Sequence, residues 1–231
     1  TTDVAKVFPG REKDRAALFT LAELQQLSAG EWFLQADPFQ AISDQAATSE
    51  PTPAYLSQAV PTLAQELEVV RKNKMCFIFD LKEPPEGHPY HEGYFELVFQ
   101  QVRSAQIDAQ IWLLADPQQV KTIQAAAPGM ILAHGTDYHH PLRPEELIAN
   151  GYQIVNSEFG LSPEWIKRYQ QAGLKVNLYT VAEPWQYSRS WMHGVDSITS
   201  SNVAILAGLE SPVLSLPFTT YAAIWSLLGF A

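Results

Sequence analysis

The chain has 231 residues, with 15 Lys and Arg against 25 Asp and Glu, a formal charge of −10. Its composition, 46% hydrophobic and 17% charged, excludes a disordered chain, because there is enough apolar surface to offset the entropy of ordering. The acidic balance without a basic run excludes a nucleic-acid partner, and the single cysteine, Cys76, excludes a disulfide framework or a multi-cysteine metal site.

The sequence opens on Thr1 with neither an initiator Met nor a signal peptide, so an upstream segment is expected to have been removed. Residues Ala36 to Ala59 carry Pro, Ser, Thr, Gln and Ala with little periodicity and read as a long surface loop or insertion. From about Thr62 to Lys72, Leu63, Leu67 and Val70 fall on one helical face. Met75–Leu81 then forms an apolar, β-rich run. Phe95, Val98, Phe99 and Val102 predict a helix from about Glu92 to Gln106, ahead of a second strand over Gln110–Ala115. Asp116-Pro117 and Ser162-Pro163 each set a capping side chain before a proline at the first helical position. Further strands are expected over Met130–His134, Tyr152–Asn156, Leu174–Val181 and Val195–Thr199. Trp165, Ile166 and Tyr169 mark a helix over about Ser162–Ala172, with Gly173 placed to end it. The strands are continuous apolar runs, which suits strands buried on both faces, and the strand–helix alternation is that of a βα array. From Ser211 to Ala231 there are 21 residues without a charge. That run is either a final helix packed on the domain or a membrane segment, since a spanning helix needs about 20 residues.

Chemistry is concentrated at few positions. Asp80 and Lys82 close the strand Phe-Ile-Phe-Asp-Leu-Lys, and period-two alternation points both to one side. Ligands of parallel βα arrays gather at the carboxyl ends of strands. There an acid can hold a divalent cation while an ammonium neutralises a phosphate oxygen; the same pair can equally be an intrastrand ion pair. Tyr179 and Trp185, at the end of another strand and the start of its helix, either line a pocket or pack as core and cap. His88, His91, His134, His139, His140 and His193 lack metal-ligand spacing. Ser157 lacks the nucleophile elbow, and no phosphate-binding glycine loop occurs.

Four stretches in series resemble the glycerophosphodiester phosphodiesterase family: Pro61-Thr62-Leu63 before a helix, Phe79-Asp80-Leu81-Lys82 on a strand, Gly173 to Val181, and Gly194 to Thr199. The earlier Val7-Phe-Pro, Ala29 to Phe33 and Asp37-Pro38-Phe39 look most like the multi-pass transmembrane branch of animals. The resemblance implies a TIM-type (β/α) barrel, incomplete at the N-terminus and with a small insertion. It spans 1–208 as a partial domain, with 211–231 as the start of a membrane helix. It further implies metal-dependent hydrolysis of glycerophosphodiesters or related lipid headgroups, with calcium or magnesium as the cation, at a membrane whose outer side bears the domain. Asp80 stands where many members have a metal-binding Glu, one methylene longer. Lys82 matches a lysine that contacts phosphate, and Tyr179 falls where many members have a Trp against substrate. If the domain is extracellular, Cys76 is expected to be a buried strand thiol. The His-Arg-Gly, Glu-x-Asp and His-Asp motifs that supply the family's acid, base and further metal ligands are absent from these residues. The chain alone is therefore expected to be inactive. The competing reading is a catalytically silent, membrane-associated binding module.

Overall fold

The structure, a computed structural model, describes residues 4–37, 40, 58–73, 76–213 and 218–228. The chain divides into two compact units: residues 1–76 with 82–110, and 77–81 with 111–231.

In the first unit, short helices α1 (Val4–Val7), α2 (Leu21–Leu24) and α3 (Glu31–Ala36) precede the longer α4 (Leu63–Asn73) and α5 (Tyr94–Ala105). None of the first three was expected from apolar periodicity, yet α2 carries a local signal. Thr20 and Glu23 form a reciprocal capping box, the Thr-x-x-Glu arrangement that satisfies two orphan helix N–H groups. Thr62 and Gln65 repeat the device at α4, with the Gln65 N–H reaching the Thr62 hydroxyl at 3.2 Å. The faces of α4 and α5 are as their spacing predicts: Leu67 and Val70 are buried on one, and Phe95, Val98, Phe99 and Val102 on the other. Most of the expected insertion over Ala36–Ala59 lies outside the described residues. Its base is tied by an antiparallel bridge between Ser28 and Ala59 and by the Ala29 N–H donating to the Gln58 carbonyl at 2.7 Å.

The second unit holds six strands, β1 (Phe77–Asp80), β2 (Ile111–Leu114), β3 (Ile131–Thr136), β4 (Ile154–Glu158), β5 (Lys175–Tyr179) and β6 (Ser197–Ile198). All pair in parallel and in chain order. Helices α6 (Val120–Ala126), α7 (Pro144–Ala149), α8 (Pro163–Gln171), α9 (Pro184–Met192), α10 (Val203–Leu206) and α11 (Phe218–Leu228) fill the intervals and the C-terminal part. Strand order that never reverses is that of a (β/α) barrel wall, whereas a doubly wound sheet reverses at a switch point. The register agrees. The hydrogen-bonded row through Asp80, Leu114, Ala133, Ile154 and Lys175 meets β5 four residues before that strand ends at Tyr179. The row thus moves from the end of β1 to the start of β5, a stagger in the sense that a barrel wall requires.

In-register partners of parallel strands share a face, so Ile78, Asp80, Trp112, Leu114, Ala133, Ile154, Asn156, Glu158, Asn177, Tyr179 and Ser197 lie on one side of the sheet. Trp112, Ala133 and Ile154 form a buried cluster there, flanked by Ile78, Leu114 and Ile131. The other side carries Leu132, Val155, Ser157, Val176 and Leu178, all buried. Gly173 ends α8 with φ +86°, a backbone conformation that disfavours side chains.

Three local expectations are corrected. Asp116-Pro117 opens a turn, with the Gln119 N–H on the Asp116 carbonyl at 2.9 Å, and α6 starts only at Val120. Ser162 occupies the N-cap of α8 without a side-chain capping bond. Cys76 is exposed, because β1 begins one residue later, at Phe77.

Among the described residues no helix is long and apolar enough to cross a membrane. The uncharged C-terminal run contributes α11, 11 residues long, about 16 Å at the α-helical rise. Residues 214–217 and 229–231 of that run are outside the described set.

Candidate functional site

The site is built where β3, β4 and β5 end. Glu158 and Tyr179 are the last residues of β4 and β5 and stand directly opposite each other in the ladder. The Phe159 N–H donates to the Tyr179 carbonyl at 2.7 Å, which carries the pairing one residue beyond the strand. Burial, reinforced by the charges of Glu158 and Asp137, raises the Tyr179 phenol above its ordinary value. The hydroxyl therefore stays protonated and available to donate toward an anionic ligand. Asp137, just past β3, is itself engaged. Its carboxylate accepts from His140 Nδ1 at 2.9 Å and from the His139 N–H at 2.8 Å, and these bonds lower its pKa.

The loop after β4 is held by packing and by a half-buried cation. Tyr138 lies against Gly160, where a Cβ would meet the ring carbons at 3.0 Å, so a side chain at 160 would require the Tyr138 ring to give way. Arg189 of α9 donates to the carbonyls of Phe159 and Leu161, and burial lowers its pKa. Trp185, at the start of α9, meets Phe159 edge-on at 5.9 Å and stacks on Trp225 of α11 at 5.6 Å. Trp185 is 44% exposed, so it combines cap packing with an accessible edge.

Below the rim, on the same face, Asn177 Nδ2 donates to Asn156 Oδ1 at 2.7 Å and to Thr199 Oγ1 at 2.9 Å. Asn177 Oδ1 accepts from Ser197 Oγ at 2.7 Å. This network spans β4 to β6 and sits one same-face position below Glu158 and Tyr179.

Asp80 ends β1 opposite Leu114 and is exposed, on the face that carries Glu158 and Tyr179. Lys82 is also exposed and lies two residues past the end of β1. Sheet pairing stops at Asp80, so the alternation expected to set both side chains on one side does not extend to Lys82. Glu158 and Asp137 escape the sequence reading because it ends β3 and β4 at His134 and Asn156, short of Thr136 and Glu158. The signal was present in the polar, sheet-compatible continuations Gly135-Thr136 and Ser157-Glu158. His134 is turned to the other face and meets Tyr152 edge-on at 4.9 Å, which removes it from this rim. Among the described residues, no group of three or more His, Cys, Asp or Glu could hold a metal ion. Asp80 offers one carboxylate, and the described residues do not by themselves make a divalent-cation site.

The comparisons agree with this architecture. The model of the glycerophosphoryl diester phosphodiesterase family matches residues 1–204. Glycerophosphodiester phosphodiesterase domain-containing protein 5 of Gallus gallus is 32% identical over 226 residues, which is 97% of this chain and 37% of that protein. Glycerophosphoinositol inositolphosphodiesterase GDPD2 of Mus musculus is 30% identical over 231 residues, 100% of this chain and 41% of that one. The chain thus spans well under half the length of these curated relatives. Among solved structures, a glycerophosphodiester phosphodiesterase of Agrobacterium tumefaciens matches with TM-score 0.59 and 16% identity, covering 83% of this chain and 72% of its own. An Oleispira antarctica phosphodiesterase, solved with the product sn-glycerol-3-phosphate, matches with TM-score 0.59 and 17% identity, over 81% and 69%. These structures share the barrel fold, and the family match over most of the residues is decisive: the chain belongs to the glycerophosphoryl diester phosphodiesterase family.

Proposed function

We propose that the whole protein hydrolyses glycerophosphodiesters, and that this chain supplies the phosphate- and headgroup-facing part of its site. The observation that carries the reading is the family match over residues 1–204 onto a sheet whose strands β4 and β5 end in Glu158 and Tyr179. In this proposal Lys82 places an ammonium against the phosphodiester and offsets charge that develops as the ester bond breaks. Tyr179, kept protonated, donates to a substrate oxygen and offers its ring to the glycerol or headgroup. Enzymes of this family generally use divalent metals, and Asp80 is the residue of this chain proposed to contribute an oxygen to one.

The proton transfers of hydrolysis are assigned to histidines outside these 231 residues, so the chain alone is proposed to be inactive. A membrane attachment through the uncharged Ser211–Ala231 segment, with the domain on the outer side, belongs to the same proposal. Release of headgroup alcohol from glycerophosphodiesters, measured side by side for this chain and for the full-length protein, tests it. Turnover is expected only in the full-length protein. Equal turnover by the chain would overturn the division of labour, and no turnover by either would favour a silent binding module.

A further inference from the structure

Between the outer faces of α7 and α8 lies an open cavity of about 440 Å³ lined by Arg143, Glu145, Trp165, Arg168 and Gln171. None of these residues belongs to the rim, and none is needed for the function proposed above. We propose that this cavity is a separate binding site for a small organic phosphate monoester.

Its charge departs from that of the molecule. The chain carries −10, yet two guanidinium groups and a single carboxylate line this cavity. Both arginines keep hydrogen-bonding capacity. Arg168 lies over the Trp165 ring at 5.0 Å, which fixes its plane by cation–π attraction while leaving its N–H edge for a ligand. Arg143 reaches Glu146 at 3.3 Å and remains 71% exposed; a strong charge-assisted bond would be about 2.7–2.9 Å. Two planar N–H forks are the donor chemistry that matches a phosphate dianion.

The remaining wall specifies more than a bare ion. Trp165, Arg168 and Gln171 follow three-residue spacing along one face of α8, whose other face is anchored by buried Ile166 and Tyr169. The ring of Trp165 and the Gln171 amide therefore stand on a rigid helix as an apolar wall and a polar contact. The volume falls within the roughly 300–1,000 Å³ of small-molecule sites, which leaves room for an organic body attached to the phosphate.

The test is titration of the chain with phenyl phosphate and, separately, inorganic phosphate. It is followed by calorimetry and by the indole N–H signal of Trp165, assigned by loss in W165F. Phenyl phosphate is expected to shift that signal, and inorganic phosphate to bind at least about tenfold more weakly. Arg143→Gln and Arg168→Gln are each expected to weaken phenyl phosphate by about tenfold or more, with circular dichroism unchanged. Lys82→Gln, two residues past β1, is expected to leave this binding as it is. The proposal is overturned if wild type shows no shift at roughly 10 mM, weaker than millimolar affinity. It is equally overturned if both arginine variants bind like wild type, or if the loss follows Lys82→Gln instead. Equal binding of the two probes would overturn the claim of an organic body.

Discussion

One face of the sheet is built in two different ways. Across β2 to β4 it is apolar, with Trp112, Ala133 and Ile154 buried together. Across β4 to β6 it is polar, with Asn156, Asn177, Ser197 and Thr199 bonded to one another. The apolar part gains stability from any side chains of the right volume, and tolerates small shifts. The polar part is satisfied in one register only, because a slip of one residue would turn every amide to the other face. Glu158 and Tyr179 lie above the polar part. The rim residues proposed to meet a ligand are thus mounted on the stretch of sheet whose register is more strictly specified.

The contrast can be broken from either side. Ile154→Ala should have the largest effect, about 3 kcal/mol lost in urea unfolding, because it leaves a cavity beneath Trp112 and Ala133. The rim should keep its geometry, visible as an unchanged Tyr179 ring signal. Asn177→Leu should cost less, about 2 kcal/mol, from the stranded partners Asn156, Ser197 and Thr199. It should nevertheless displace Tyr179, whereas Ile154→Ala should not. If Ile154→Ala moves the rim and Asn177→Leu leaves it in place, the division is wrong.

A third, smaller effect comes from the opposite face. Burial lowers the pKa of His134, with Asp116 acting against it, and burial together with the Arg189 charge lowers that of His193. With folded values depressed, the unfolded chain binds more protons, so these groups contribute full stability above the ordinary histidine value of about 6.5. That contribution is lost as pH falls through the folded values. Wild type should unfold more readily at pH 5 than at pH 7, and His134→Gln should show a shallower slope. Identical slopes would show that His134 does not titrate with unfolding.

How much was legible in the sequence follows from the range of the forces involved. The cores of β1 to β5 were visible as apolar runs, and Phe95, Val98, Phe99 and Val102 marked the buried face of α5 without error. These features depend on local period alone. Ser197–Ile198 is a two-residue strand with almost no pattern of its own, and its place was legible mainly through the family-like Gly194–Thr199 stretch. The Asn156–Asn177 bond joins residues 21 apart, and the Trp185–Trp225 stack joins residues from two helices; neither leaves a trace in spacing. The same holds for the bonds from Arg189 of α9 to the loop after β4, because a basic residue in the last turn of a helix reads first as a dipole partner. Asp80, Lys82 and Tyr179 were singled out because strand ends are visible locally and the resemblance gave them roles. The acids Glu158, at the end of β4, and Asp137, just past β3, come into view only once the register shows that both strands run on.

The most direct test of the central claim is the turnover of a glycerophosphodiester by the full-length protein carrying Lys82→Gln or Tyr179→Ala. The account predicts that each variant stays folded and that kcat/KM falls by about 100-fold for Lys82→Gln, the scale of losing one charge-stabilising donor, and by less for Tyr179→Ala. Wild-type kcat/KM in both folded variants would contradict it and remove the carboxyl ends of this sheet from the reaction.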